Sequence, residues 1–434
     1  MPSKKNRSQF ELKTPKGTRD LIGEEVFQLS GFAEKASEIA RYYGFQAIET
    51  PMIEKEELFN RGIGTGTDII DKEIYNLKTK GGDHLALRPE GTAPIIRAYF
   101  EHGLQSKPQP VMFYYFGPFF RHDKPQKGRW RQFWQFGLEI LGSKHSISDA
   151  TIIRLNYLIL ETIGLKNPVV NINSLGDTEC RLAFQKDLNA YYRKNAKNIC
   201  ADCRQRLKTN PLRVLDCKSD KCQPIKAEAP QILNYLNPES KKHFQEVLEY
   251  LDKMKIDYEI DPLMVRGLDY YNRTVFEIKL PITDEEGKTT DLAVSAGGRY
   301  DSLSKILGEK KELPAVGSSI GVDRLLMLDE TNHLKPKAIK NPKIYFIQLS
   351  QEAKMKSFEI IEILRAAKIP ITHSIAKNSL SAQLGIAEKS KASYVIILGQ
   401  KEALDNTVIV RNLKNRSQDT IAIDKLSQYL KKLK

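Results

Sequence analysis

Residues 111–142 read VMFYYFGPFFRHDKPQKGRWRQFWQFGLEILG. Two runs rich in aromatic and branched residues, 111–122 and 131–142, flank the turn DKPQKGRW. Such runs favour extended backbone, and a charged turn holding Pro and Gly between them predicts an antiparallel hairpin. Arg121, His122, Lys124, Lys127, Arg129 and Arg131 fall within eleven residues at its tip. A rigid strand pair can hold an arginine fork against a triphosphate at fixed distance, which a flexible basic tail cannot do. No GxxxxGK[ST] loop offers an alternative, since GIGTGTD (62–68) precedes no such lysine.

On the second strand Gln135, Gly137 and Glu139 share one side by the period of two. A buried carboxylate is costly without a partner, so these groups face water or recognise a cationic or hydrogen-bonding ligand. LALRPEGTAPIIRAYF (85–100) predicts a strand, a proline turn and a helix from about Thr92, with Glu90 placed to hold an ammonium group. AVGSSIGVDRLLML (315–328) predicts a small-residue strand followed by a helix that carries Arg324, an arginine able to stack on a purine or reach a phosphate. VRGLDYYNRTVFEI (265–278) sets Arg266, Asp269, Tyr270 and Tyr271 ahead of a strand-like alternation.

The rest of the chain supplies the frame. At 434 residues it exceeds the roughly 250–300 at which a single core stops growing, so several domains are expected. A long amphipathic helix is predicted from about Glu24 to Tyr43, and a polar, mainly helical insertion over 177–258. LKPKAIKNPK (334–343) reads as a linker. Beyond it, strands and helices alternate, which predicts a small α/β domain with a largely parallel sheet. No apolar run approaches the ~20 residues of a membrane span, and no apolar segment follows the basic start, so a cytoplasmic protein is expected. The net charge of +14 points to a polyanionic partner. Residues 341–434 hold 16 Lys/Arg against 8 Asp/Glu, a net +8, so the charge is concentrated there.

Taken together these segments resemble the class II aminoacyl-tRNA synthetases, specifically the bacterial-type histidyl-tRNA synthetases, nearly end to end. PKGTRDLIGEE (15–25) is similar to the signature leading into the dimer-forming motif 1, LRPEGT with 114–142 to the substrate strand and motif 2, and AVGSSIGVDRL to motif 3. VRGLDYYNRTVFE is similar to the histidine-specific signature. The resemblance implies an α+β catalytic domain with an antiparallel sheet flanked by helices (1–176 and 259–333), the insertion (177–258), the linker (334–343) and a C-terminal α/β anticodon-binding domain (344–434). It implies ATP-dependent attachment of L-histidine to its tRNA through a histidyl-adenylate, with AMP and pyrophosphate released and magnesium arriving with ATP. By the same resemblance Arg266 and Arg121 are catalytic, and Glu90, Thr92, Gln135, Glu139, Tyr270 and Tyr271 bind histidine. Arg121, Arg129 and Arg324 bind ATP, Gln126 and Arg131 touch tRNA, and the protein is a homodimer without membrane attachment.

The sequence departs from the family in three places. Trp134 stands where many relatives carry histidine and Asp323 where glutamate is usual, and SAGGRYD (295–301) shortens a glycine run before Arg299 and Tyr300. Two other readings compete: a non-catalytic regulatory paralogue acting in histidine biosynthesis, and a class II synthetase for another amino acid. The retained C-terminal domain and histidine signature argue against both. Cys200, Cys203, Cys217 and Cys222, spaced C-x2-C-x13-C-x4-C, could give four thiolates to zinc, but the missing second C-x2-C favours buried free thiols and no metal.

Overall fold

The computed structural model describes residues 11–64, 67–124, 128–283, 287, 289–337, 342–374 and 379–433. They form two compact units, 1–336 and 337–434.

The predicted hairpin lies in the first unit. Strands Val111–Phe120 and Gln132–Leu141 pair antiparallel from Val111 opposite Leu141 to Phe120 opposite Gln132 without a slip. They belong to an eight-stranded sheet that continues through Ala315–Gly321, Thr289–Arg299, Asn272–Thr283 and Val169–Ser174, with Gln46–Ala47 and Tyr258–Ile260 at its edges. Every pairing is antiparallel except the two edge pairs.

The strand period of two separates two cores. Phe136, Leu138 and Ile140 pack with Phe32, Ala36 and Ala40 of helix Glu24–Tyr42 and Ile152 and Ile159 of helix Ser146–Thr162. Residues of the opposite face, Phe113, Tyr115 and Leu141, pack with Ile95, Ile96 and Tyr99 of helix Thr92–Glu101. Full burial of each large apolar side chain is worth about 1.5–3 kcal/mol, so the alternation fixes which face turns toward helix 92–101.

The insertion expected over 177–258 is not one body. Helices Thr178–Lys194 and Ala201–Thr209 and the short turns up to Tyr235 surround their own core of Phe184, Leu188, Tyr192, Val214 and Ile232. Helix Pro238–Lys253, capped by Asn237, sends Phe244, Val247 and Leu251 into the main core instead. Its lysines mark the solvent side of an amphipathic helix, so polarity alone merged it with the insertion.

The second unit has five strands in the order 371–373, 344–348, 394–398, 407–412 and 418–422. Helices 351–366 and 423–432 cover one face and helix 380–389 the other. Only the first three strands are parallel. The expected largely parallel sheet is corrected to a mixed one, because the five residues between 407–412 and 418–422 make a hairpin and a parallel crossover needs a dozen or so.

Candidate active site

The hairpin, helix 92–101, the 265–271 segment and strand 315–321 enclose a cavity of about 440 Å³. Glu90, Thr92, Arg121, Arg129, Gln135, Arg266, Tyr270, Tyr271 and Arg324 all line it. Glu139 lies just behind the wall, fully buried, where its carboxylate accepts from Thr92 Oγ1 at 3.0 Å and from the Tyr300 hydroxyl. Two glycines make this possible. A Cβ at Gly317, on the neighbouring strand, would collide with the Glu139 carboxylate, and one at Gly137 would collide with the Tyr115 ring.

One end of the cavity is acidic and aromatic. Glu90 accepts from the backbone amides of Thr92 (2.6 Å, Oε2) and Ala93 (3.0 Å, Oε1) at the start of helix 92–101, and the Tyr270 hydroxyl donates to the same Oε2 at 3.4 Å. Burial raises its pKa, an effect those amides partly offset. Burial likewise pushes Glu139 up to about 8 against the Tyr300 and Thr92 donors, and the nearby Glu90 charge adds to the rise. Among the described residues neither carboxylate has an ion-pair partner. Tyr270 and Tyr271 pack at 4.8 Å between centroids, and burial pushes Tyr271 up to about 12, which keeps both hydroxyls as donors.

The other end is cationic. Arg121 donates to the Pro89 carbonyl at 2.8 Å and lies 5.5 Å from the Phe133 ring centre. Arg324 donates to the Ala293 carbonyl at 2.7 Å; burial, then the charge of Arg129, lowers its pKa. Arg129 reaches Asp123 at 3.2 Å. Arg266 pairs with Glu277 on the next strand, yet its buried Nε has no hydrogen-bond partner among the described residues. Arg121, Arg129, Arg266 and Arg324 thus gather their guanidinium groups on one wall of the cavity, a donor set suited to a polyanion.

Residues 17–325 match the family model for histidyl-tRNA synthetase, and 343–433 that of an anticodon binding domain. The chain belongs to the histidyl-tRNA synthetase family. It is 40% identical over 422 residues to a histidine–tRNA ligase of Caldicellulosiruptor bescii, covering 97% of this chain and 99% of that one. The histidine–tRNA ligase of Listeria innocua is 40% identical, over 95% and 96% of the two chains. The crystal structure of apo Staphylococcus aureus histidyl-tRNA synthetase superposes with a TM-score of 0.79 at 30% identity, covering 97% and 100%. The fold is therefore that of a class II synthetase, with an antiparallel catalytic sheet and a C-terminal anticodon-binding domain.

The departures from the family can be placed. The Trp134 ring stacks on Phe116 at 5.0 Å, on the main-core face of the sheet. Asp323 accepts from the Trp134 backbone amide at 2.6 Å and from Arg19 at 3.0 Å. Arg299 is a core residue, bound to the buried Asp149 and to Asp301. Of the residues expected at tRNA, Gln126 lies outside the described residues. Arg131 is outside the cavity lining, tied to the Lys16 carbonyl at 3.1 Å and that of Asp123 at 3.3 Å.

Sequence reasoning missed a supporting set. Arg181 donates to the Tyr271 carbonyl at 2.9 Å, Asn210 to Asp269 at 2.7 Å and Arg213 to Asp68 at 3.0 Å, so the insertion props the tyrosine segment from behind. Tyr115 lines the cavity, and Tyr300 holds Glu139 behind it. No local pattern marks them, because each meets its partner only after distant strands pair.

Proposed function

We propose that the protein is a histidine–tRNA ligase, joining L-histidine to its tRNA through a histidyl-adenylate and releasing AMP and pyrophosphate. The observation that carries this reading is one cavity with two contrasting ends: buried carboxylates beside tyrosine hydroxyls, and a cluster of arginines.

Histidine brings an ammonium group and a ring with one donor and one acceptor, which suits the first end. In this reading Glu90, Thr92 and Gln135 take the α-ammonium, and Glu139 and Tyr271 take the two ring nitrogens with Tyr270 alongside. An amino acid lacking those ring groups leaves buried polar atoms unpaired, a mismatch that can exclude it by ~10⁴. Arg121, Arg129 and Arg324 hold the ATP phosphates and adenine, with magnesium entering as part of the nucleotide substrate. Arg266, whose Nε has no partner among the described residues, holds the α-phosphate against the histidine carboxylate during in-line attack. Positioning and charge neutralisation then supply the rate, without a covalent enzyme intermediate.

The hairpin tip with Gln126 and Arg131 is assigned to the acceptor end of the tRNA, and residues 344–434 to the anticodon, whose unstacked bases can be hydrogen-bonded and stacked. Residues 1–176 and 259–333 are assigned to catalysis, together with helix 238–253, which shares their core. A homodimer in the cytoplasm completes the reading. Ile22, Val26 and Tyr42, 75%, 38% and 89% exposed along helix 24–42 and its lead-in, support a covering second copy. No helix of the described residues is long and apolar enough to cross a membrane.

The test is exchange of labelled pyrophosphate into ATP, run separately with each amino acid. Exchange with histidine alone is expected. No exchange would favour a regulatory paralogue, and exchange driven by another amino acid would transfer the site to that substrate.

A further inference from the structure

Cys200, Cys203, Cys217 and Cys222 converge within the insertion, and their four Sγ atoms all lie within 4.8 Å of one another. Cys200 and Cys217 are 3.9 Å apart, as are Cys203 and Cys222. Disulfides would bring each pair to about 2.05 Å. Four sulfurs set tetrahedrally about 2.3 Å from a zinc ion stand about 3.8 Å from one another. Two of the six separations, at 3.9 Å, are close to that edge and the others lie within 4.8 Å.

The backbone prepares the sulfurs for negative charge. Cys200 is the N-cap of helix Ala201–Thr209 and Cys203 lies in its first turn, so C-x2-C sets both sulfurs at the positive helix end. Three backbone amides point at sulfur: Cys203 to Cys200 at 3.4 Å, Cys200 to Cys222 at 3.2 Å and Ser219 to Cys217 at 3.4 Å. Hydrogen bonds of this kind favour thiolate and orient metal ligands. Tyr192, 1% exposed and in the same buried cluster as the cysteines, carries a hydroxyl with no partner among the described residues.

We propose that these four cysteines form a tetrathiolate site for a structural zinc ion. The longer C-x4-C spacing hides the site in the sequence, because residues 220–222 fold into a 3₁₀ turn that brings Cys222 back to the cluster. All four positions are filled by protein, so the ion has no open place for substrate and acts as a clip. The loop it closes, between Cys203 and Cys217, carries Asn210 and Arg213, which hold Asp269 at 2.7 Å and Asp68 at 3.0 Å.

Elemental analysis of the full-length protein, purified under reductant without chelator, is expected to give one zinc per chain. Cobalt exchanged into the site should show the intense visible bands of tetrahedral cobalt thiolate. Cys180→Ser, which removes the cysteine outside the cluster, should keep the metal, and Cys203→Ser or Cys222→Ser should lose it. The deciding measurement needs no variant. If the native chain holds no zinc after equilibration with it, if all five thiols react freely in its presence, or if the four cysteines prove to be two disulfides, the proposal is overturned.

Discussion

Glu139 gives the site a proton that can be followed. Its pKa in the folded chain, about 8, stands above the ordinary carboxylate value of 4.5, so between the two the folded state binds one proton more than the unfolded state. The sign follows: this group's contribution to stability is fully present below about pH 4.5 and is lost as pH rises to about 8, at about 1.4 kcal/mol per pH unit. Glu139→Gln cannot titrate. Denaturant unfolding of both proteins across pH 5 to 8 should show the wild type losing stability relative to the variant, and parallel curves would contradict a protonated Glu139. Arg266 gives a kinetic test. Its buried Nε has no partner among the described residues while its Nη1 meets Glu277, so Arg266→Ala is expected to cut adenylate formation by ~10²–10³ with a much smaller change in histidine affinity. Single-turnover adenylation and equilibrium binding separate the two, and equal losses would remove Arg266 from the phosphate.

Arg299 shows where sequence reading stopped and why elements had to meet first. The SAGGRYD stretch reads as a glycine run near the substrate, yet Arg299 points from strand 289–299 to Asp149 on helix 146–162, both fully buried, with His243 of helix 238–253 at 3.3 Å from Asp149. Burial alone would raise the Asp149 pKa, but the guanidinium and the imidazole hold it well below the carboxylate range. Three elements are tied at one point. Removing one partner strands a buried charge, so Asp149→Asn should cost about 3–5 kcal/mol of unfolding free energy in denaturant titrations. Asp149→Leu combined with Arg299→Met should recover much of that loss, since the fully buried charges go together and Asp301, 15% exposed, keeps the donors Asn272 and the Ala315 amide. The hairpin, by contrast, was legible to within two residues at each end, because its signal is local: alternating aromatics and a turn. Glu90, Arg121, Arg129, Arg266 and Arg324 of the cavity were legible through motif resemblance, whereas Tyr300, Arg181, Asn210 and Arg213 depend on pairings that no local pattern encodes.

At the scale of the molecule, the charge map and the cores divide the work. The unit 337–434 closes its own hydrophobic clusters on both faces of its sheet, and the cavity is lined wholly by residues of 1–336. Composition and strand–helix alternation change over 334–343, where the sequence places a linker; the two units divide at 336/337, and Leu334 is buried in the core of the first. The mixed sheet was not legible, since strand direction is set by connection geometry rather than by composition. Each unit therefore has what it needs to fold, and the chain 1–336 should still exchange pyrophosphate into ATP with histidine at a rate within about tenfold of the intact protein. Its aminoacylation should fall far more, because it lacks the basic residues concentrated in 341–434. In the intact protein, raising salt should weaken tRNA binding steeply, with a log–log slope of about −0.7 to −0.9 per phosphate contacted, while exchange changes little. The same salt slope in the shortened chain would put the tRNA contacts on the first unit, and loss of exchange on truncation would show that the second unit takes part in adenylation.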